Sequence, residues 1–267
     1  VIKPGEIQNK ARAVGVRDQQ IEKDYMLSWI LQGISQHSTL SKTIVFKGGT
    51  VLKKVYFKNY RFSEDLDFTL LDDAITNEQV FEWFTEVFEY IKEEANIPLE
   101  IIDDNEHQDG GVNFYIGYVG PLGGLGANKK VKVDISRSET LVFEPVLNNA
   151  FIDYTDQEEH QLLCYALEEV LVEKLRSVMQ RMQARDFYDI WYLLKIHTMD
   201  IDFYIAEFRQ KCESKDIDPT DFYTKLEQRL PQYRGRWEKS MADQIQDLPD
   251  FETVLREVMR HLKKLEI

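Results

Sequence analysis

Two glycines set between an apolar run and a short amphipathic one constrain this chain more than any other feature. Thr43-Ile44-Val45-Phe46 is β-branched and apolar, which predicts a buried strand, and Lys47-Gly48-Gly49-Thr50 ends it. Thr50 to Phe57 then reads as a short helix. The polar stretch Tyr60-Arg61-Phe62-Ser63-Glu64 leads into Asp65-Leu66-Asp67-Phe68, which opens a second strand running to Leu71. The predicted order is therefore strand, glycine turn, helix, strand, with two carboxylates at the start of the second strand.

That order suits a triphosphate and its metal ions. Glycines let backbone N–H groups approach phosphate, and a helix N-terminus favours anionic charge. Asp65 and Asp67 are two apart, so in a strand both side chains face the same way. Two carboxylates on one face can share a pair of Mg²⁺ ions that also bind substrate phosphates. Lys130 to Ile135 alternates cleanly, with Lys130, Lys132 and Asp134 on one face and Val131, Val133 and Ile135 on the other. Asp134 is thus the candidate third metal ligand. Two competing readings stand beside this one. In the first, Asp65 caps a turn, Asp67 pairs with Arg61 and Asp134 is solvated. In the second, Asp65-x-Asp67-x-Thr69 is the Asp-x-Asp-x-Thr of haloacid-dehalogenase-like phosphatases. That motif follows an apolar strand, whereas here the apolar residues come after it.

The net charge of −14 over 267 residues argues against a general nucleic-acid-coating protein. Local basic clusters remain: Lys129, Lys130, Lys132 and Arg137, then Lys174, Arg176, Arg181 and Arg185. With 43% hydrophobic and 12% aromatic residues the chain can build a real core. No apolar run approaches the ~20 residues of a membrane span, the first residues lack a secretory signal, and Cys164 and Cys212 are the only cysteines. These features lead us to expect a cytoplasmic protein with no membrane partner.

Further along, Thr76-Asn77-Glu78-Gln79 has capping-box spacing, and Val80, Phe81, Phe84, Val87, Phe88 and Ile91 predict a helix to about residue 95. Strands are expected over Leu99–Ile102, Val112–Val119 and Lys130–Ile135. The glycine-rich segment Gly120 to Asn128 reads as a hairpin connection, since it lacks a Gly-Lys-Ser/Thr ending. From Asp156 onward the pattern is helical, with one stripe from Leu162 to Met179 and another over Phe251, Val254, Leu255, Val258, Met259, Leu262 and Leu265. The expected division is an α/β domain over 1–155 and a helical domain over 156–267. The histidines show no metal-ligand spacing, and His160 with Cys164 on one helix would not make a zinc site.

Five segments taken together carry a resemblance: Gly48-Gly49-Thr50, Arg61-x-Ser63-x-Asp65-x-Asp67, Lys132-x-Asp134, Glu169-x-x-x-Glu173-Lys174 and Arg185-Asp186-x-x-Asp189. In this register they resemble the motif series of the AbiEii family, nucleotidyltransferase toxins of type IV toxin–antitoxin systems within the DNA polymerase β-like superfamily. Ile21-Glu22-Lys23-Asp24-Tyr25 is similar to that family's N-terminal helix. The resemblance covers about residues 20 to 195.

It implies an α/β (α+β) fold, a polymerase-β-like mixed sheet with flanking helices and a helical C-terminal half contributing Lys174 and Asp186 to the cleft. Gly48, Gly49 and Thr50 would hold nucleotide phosphates, with Lys53, Arg61, Ser63, Lys132 and Asp189 completing the nucleotide-binding set. Asp65, Asp67 and Asp134 would hold two Mg²⁺ ions, with Asp134 a candidate base. Lys174 would stabilise charge on the leaving pyrophosphate. Asp186 or Asp189 would be the last acidic residue; alternatively, Arg185 and Asp189 form an i,i+4 pair and Glu173-Lys174 is a solvated face. The implied activity is transfer of an NMP from an NTP to a hydroxyl, with a tRNA 3′ end the leading acceptor and an antitoxin protein as partner. Protein AMPylation and a nucleotide-binding interaction module are the alternatives.

Overall fold

The computed structural model describes residues 1–107, 110–124, 129–137 and 139–263. These divide into two compact units. The first holds Val1–Glu139 and Pro145–Tyr165; the second holds Thr140–Glu144 and Ala166 onward.

In the first unit α1 (Pro4–Val14), α2 (Asp18–Gln36) and α3 (Leu40–Thr43) precede β1 (Ile44–Lys47). The short helix α4 (Gly48–Val51) continues as a wider turn over Leu52–Tyr56, and β2 (Asp65–Leu70) follows. Next come α5 (Asn77–Ala95), β3 (Leu99–Glu106), β4 (Val112–Tyr118), β5 (Lys130–Ser136), β6 (Val146–Asn149) and β7 (Gln161–Cys164). Among the described residues these seven strands form one mixed sheet in the order β3-β4-β5-β2-β1-β7-β6. The β1–β2 pair is antiparallel, while β2–β5 and β1–β7 are parallel.

The sheet has two chemically different faces because apolar and polar residues alternate in register. Leu66, Phe68, Phe114, Val131, Val133 and Ile135 are buried on one face, where Phe84 of α5 meets the Phe114 ring edge-on at 5.0 Å. Helix α5 begins where the sequence predicts: the Thr76 hydroxyl accepts from Gln79 N, and the Gln79 side chain accepts from Thr76 N. Helix α2 is buried along nearly its whole length, with Ile21, Tyr25, Trp29 and Leu31 all in the core.

Two strands were not expected. β6 is a four-residue run without strong alternation, and β7 sits where a helical stripe was predicted. Gln161-Leu162-Leu163-Cys164 is too short to show its period, and pairing with β1 and β6 decides in favour of strand. The expected helix therefore starts at Leu167, and His160 and Cys164 are not helical neighbours. Of the Gly120–Asn128 connection, residues 125–128 lie outside the described residues.

The second unit consists of α6 (Leu167–Gln180), α7 (Ala184–Trp191), α8 (Ile205–Glu213), α9 (Phe222–Met241) and α10 (Phe251–Leu262). Phe187 of α7 stacks on Tyr233 of α9 at 5.5 Å, and Trp237 meets Phe251 at 5.3 Å. The α10 stripe buries Phe251, Val254, Val258 and Leu262, while Leu265 lies outside the described residues. Segment Thr140–Glu144 is held here by a fully buried ion pair. Glu169 accepts from Val142 N at 2.9 Å and Phe143 N at 2.8 Å, and Lys211 donates to the Thr140 carbonyl at 2.8 Å and to Glu169. The Glu169 of the sequence motif is thus a packing and anchoring group.

Candidate active site

On the sheet face opposite the core, strand register builds one row of polar side chains. Lys47 of β1 pairs with Asp67 of β2, Asp67 with Asp134 of β5, and Asp134 with Asn113 of β4. Asp65, Lys132 and Tyr115 form the row beside it. Asp65, Asp67 and Asp134 are each partly exposed, so all three carboxylates share one accessible face. Asp65 is the first residue of β2. The acidic pair therefore opens its strand, which does not suit the phosphatase motif.

The glycine pair lies directly against this row. Gly48 has φ +80°, and a Cβ there would come within 2.3 Å of Asp67 Oδ2. A Cβ on Gly49 would lie 2.5 Å from the Arg61 guanidinium. At Gly48 the positive φ and the close approach to Asp67 both call for glycine, while a side chain at Gly49 would require the Arg61 guanidinium to shift. Thr50 has an anchoring job: its hydroxyl donates to the Asp65 carbonyl at 2.5 Å, tying α4 to the start of β2. Arg61 and Ser63 are buried, and Arg61 Nη1 donates to the Phe62 carbonyl. Lys53 is buried too, with its ammonium on the Lys58 carbonyl at 3.0 Å and over the Phe62 ring. Lys132 places its Nζ 3.3 Å from Asp134 Oδ2.

Two further groups lie beside the carboxylates, neither of them given a role from the sequence. Lys47 is buried, with Nζ 2.6 Å from Ser136 Oγ and 5.8 Å from the Tyr165 ring centre. His107 lies with Nε2 4.0 Å from Asp134 Oδ2 and 2.6 Å from Asn113 Nδ2. Lys47 directly precedes the glycine pair in sequence, whereas His107 is brought near Asp134 by the pairing of distant segments and has no local signature.

Among the described residues, no group of three or more His, Cys, Asp or Glu side chains converges as a closed metal cage. Mg²⁺ does not require one: it usually takes one or two carboxylates, waters and substrate phosphates. Three carboxylates on one open face, beside a glycine turn whose Cβ-free backbone touches Asp67, fit that coordination chemistry.

The second unit contains the other predicted residues. Lys174 is buried on α6, and its Nζ lies 2.6 Å from Asp186 Oδ1 and 2.8 Å from Asp189 Oδ2, both on α7. Arg181 Nε adds a contact to Asp186 Oδ2 at 2.7 Å. Asp186 and Asp189 thus share a helix face as their spacing requires. Lys174 is not on a solvated face, and Asp189 pairs with it. Burial pushes the Asp186 carboxyl upward, but Lys174 and Arg181 pull harder and hold it below its ordinary range.

Comparison with known proteins bears on the family and the fold. Residues 29–257 match the family model described as nucleotidyl transferase AbiEii toxin, type IV TA system. No curated protein sequence matches. Among solved structures, the fold is similar to MenT4, a nucleotidyltransferase toxin from Mycobacterium tuberculosis H37Rv, with TM-score 0.55 and 18% identity over 97% of this chain and 99% of that one. It is also similar to JHP933 from Helicobacter pylori, with TM-score 0.55 and 17% identity over 94% and 95% of the two chains. No helix among the described residues is long and apolar enough to cross a membrane.

Proposed function

Because the chain belongs to the AbiEii family of nucleotidyltransferase toxins of type IV toxin–antitoxin systems, we propose that it moves an NMP from an NTP onto an RNA hydroxyl, with a tRNA 3′ end as acceptor. The observation that carries this reading is the Asp67–Asp134 register pair with Asp65 beside it and the Gly48 turn against Asp67. All three acidic positions are intact, which favours an active transferase over a module that only binds nucleotide.

In the proposed reaction the acceptor oxygen attacks the α-phosphorus in line. The bond to the bridging oxygen breaks, and pyrophosphate leaves. Asp134 takes the hydroxyl proton. Asp65, Asp67 and Asp134 would hold Mg²⁺, which when bound polarises the phosphoryl oxygens and offsets charge on the leaving group. Gly48 and Gly49 present backbone to the phosphates, and Lys132 supplies a nearby cation. Lys174 is assigned to the triphosphate, with Asp186 and Asp189 setting its position. The family implies an antitoxin partner; we place the reaction in the cytoplasm.

The test is incubation with Mg²⁺, total tRNA and each α-³²P-labelled NTP in turn, resolved on a denaturing gel. Label on RNA from one NTP supports the proposal. Label on protein would replace it with AMPylation, and no label with any NTP would leave the binding-module reading.

A further inference from the structure

Three consecutive charged residues on the buried helix α2 contact three separate segments around the nucleotide site. Successive helical residues point about 100° apart, so a run of three can reach three different neighbours. Asp24 points to the segment after α4: Lys54 Nζ donates to its Oδ2 at 2.7 Å and to Ser28 Oγ at 2.7 Å, and lies 3.4 Å from Asp153. Tyr154 donates to the same Asp24 oxygen at 2.8 Å. Lys23 points to the segment before β2, with Nζ 3.1 Å from Glu64 Oε2, next to Asp65. Glu22 points to the connection before β5: it accepts from Leu122 N at 2.8 Å and from Lys129, and Gly120 packs so closely that a Cβ would lie 2.6 Å from its Oε1.

Asp24 and Glu22 are each about 1% exposed. A buried carboxylate is costly unless paired and hydrogen-bonded, and an apolar helix face would pack without that cost. What the charges add is direction. Each fixes one segment at a defined distance from one rigid element, and those segments carry Gly48-Gly49-Thr50, Asp65-x-Asp67 and Lys132-x-Asp134.

We infer that Glu22, Lys23 and Asp24 are positioning residues, a bracket on α2 that holds the glycine turn and both carboxylate strands in mutual register for nucleotide and metal. The inference rests on the nucleotidyl-transfer reading for what is being positioned. The bracket itself depends only on the contacts made by these three side chains.

The Lys23–Glu64 pair gives the cleanest test, since its side chains are 19% and 37% exposed and substitution there leaves the core packed. Lys23→Glu, Glu64→Lys and the double exchange would be compared with wild type by thermal midpoint, backbone hydrogen exchange and transfer kinetics. Each single variant should speed exchange over residues 61–66 and lower kcat about 10-fold, the lower end for groups that orient metal ligands, with little change in midpoint. The double exchange should restore both. Asp24→Asn should instead speed exchange over residues 48–56 and raise the KM for NTP by a similar ~10-fold factor. Unchanged exchange at 61–66 in Lys23→Glu, or a double exchange that restores neither readout, would overturn the bracket. If the wild type transfers no label from any NTP, the transferase reading fails by itself, and the exchange data still decide whether the bracket exists.

Discussion

Gly48 and Asp67 touch so closely that one added carbon would collide: a Cβ on Gly48 would sit 2.3 Å from Asp67 Oδ2, and its φ of +80° already disfavours any side chain. Gly48→Ala should therefore destabilise by about 1–3 kcal/mol from backbone strain alone and push Asp67 out of its row. Gly235 is the control. It lies mid-helix in α9 with nothing within 4 Å, so Gly235→Ala should stabilise by about 0.5–1 kcal/mol. Urea denaturation of the two variants would check the opposite signs.

Lys174 is set between Asp186 and Asp189 in a buried cluster, and removing it leaves Asp189 without that cation. Lys174→Met should lose about 3–5 kcal/mol of stability as well as transfer. Adding Asp189→Asn should recover part of the stability, because it removes a buried charge, without recovering transfer. Equal stability of the single and double variants would contradict this account of the cluster.

Acid should weaken both units. Burial pushes the Asp24 and Asp186 carboxyls upward, but Lys54 acts on Asp24, and Lys174 with Arg181 on Asp186, to hold both below their ordinary range. The folded state thus binds these protons less readily than the unfolded state. Their contribution is complete above the ordinary carboxylate value of about 3.9 and is lost as pH falls through the lowered folded values. Denaturant midpoints should be flat for these groups from pH 7 to 5 and fall below about pH 4, with a shallower fall in Asp186→Asn.

Much of this was legible in the chain because it is local. The β1–Gly48-Gly49–β2 order, the Thr76 capping box and the α10 stripe each have a period or a turn residue that announces them. The carboxylate row was half legible: Asp65 and Asp67 share a face by alternation, as do Lys132 and Asp134, but only the parallel β2–β5 register makes Asp67 and Asp134 neighbours. What escaped has partners far away in sequence. Lys54 meets Asp24 thirty positions back, His107 reaches Asp134 across β4, and Lys211 meets Glu169 from another helix. β7 was hidden because four residues cannot show a period.

The most direct measurement compares wild type with Asp67→Asn in α-³²P-NTP transfer to tRNA at saturating Mg²⁺, with a thermal midpoint for each. Asn keeps the shape of the side chain, removes its charge and replaces one acceptor oxygen with a donor NH2. Label is expected on RNA with wild type and none with an Asp67→Asn protein that the thermal midpoint shows to be folded. Full transfer by that folded variant would contradict the assignment of the Asp65, Asp67 and Asp134 face as the active site.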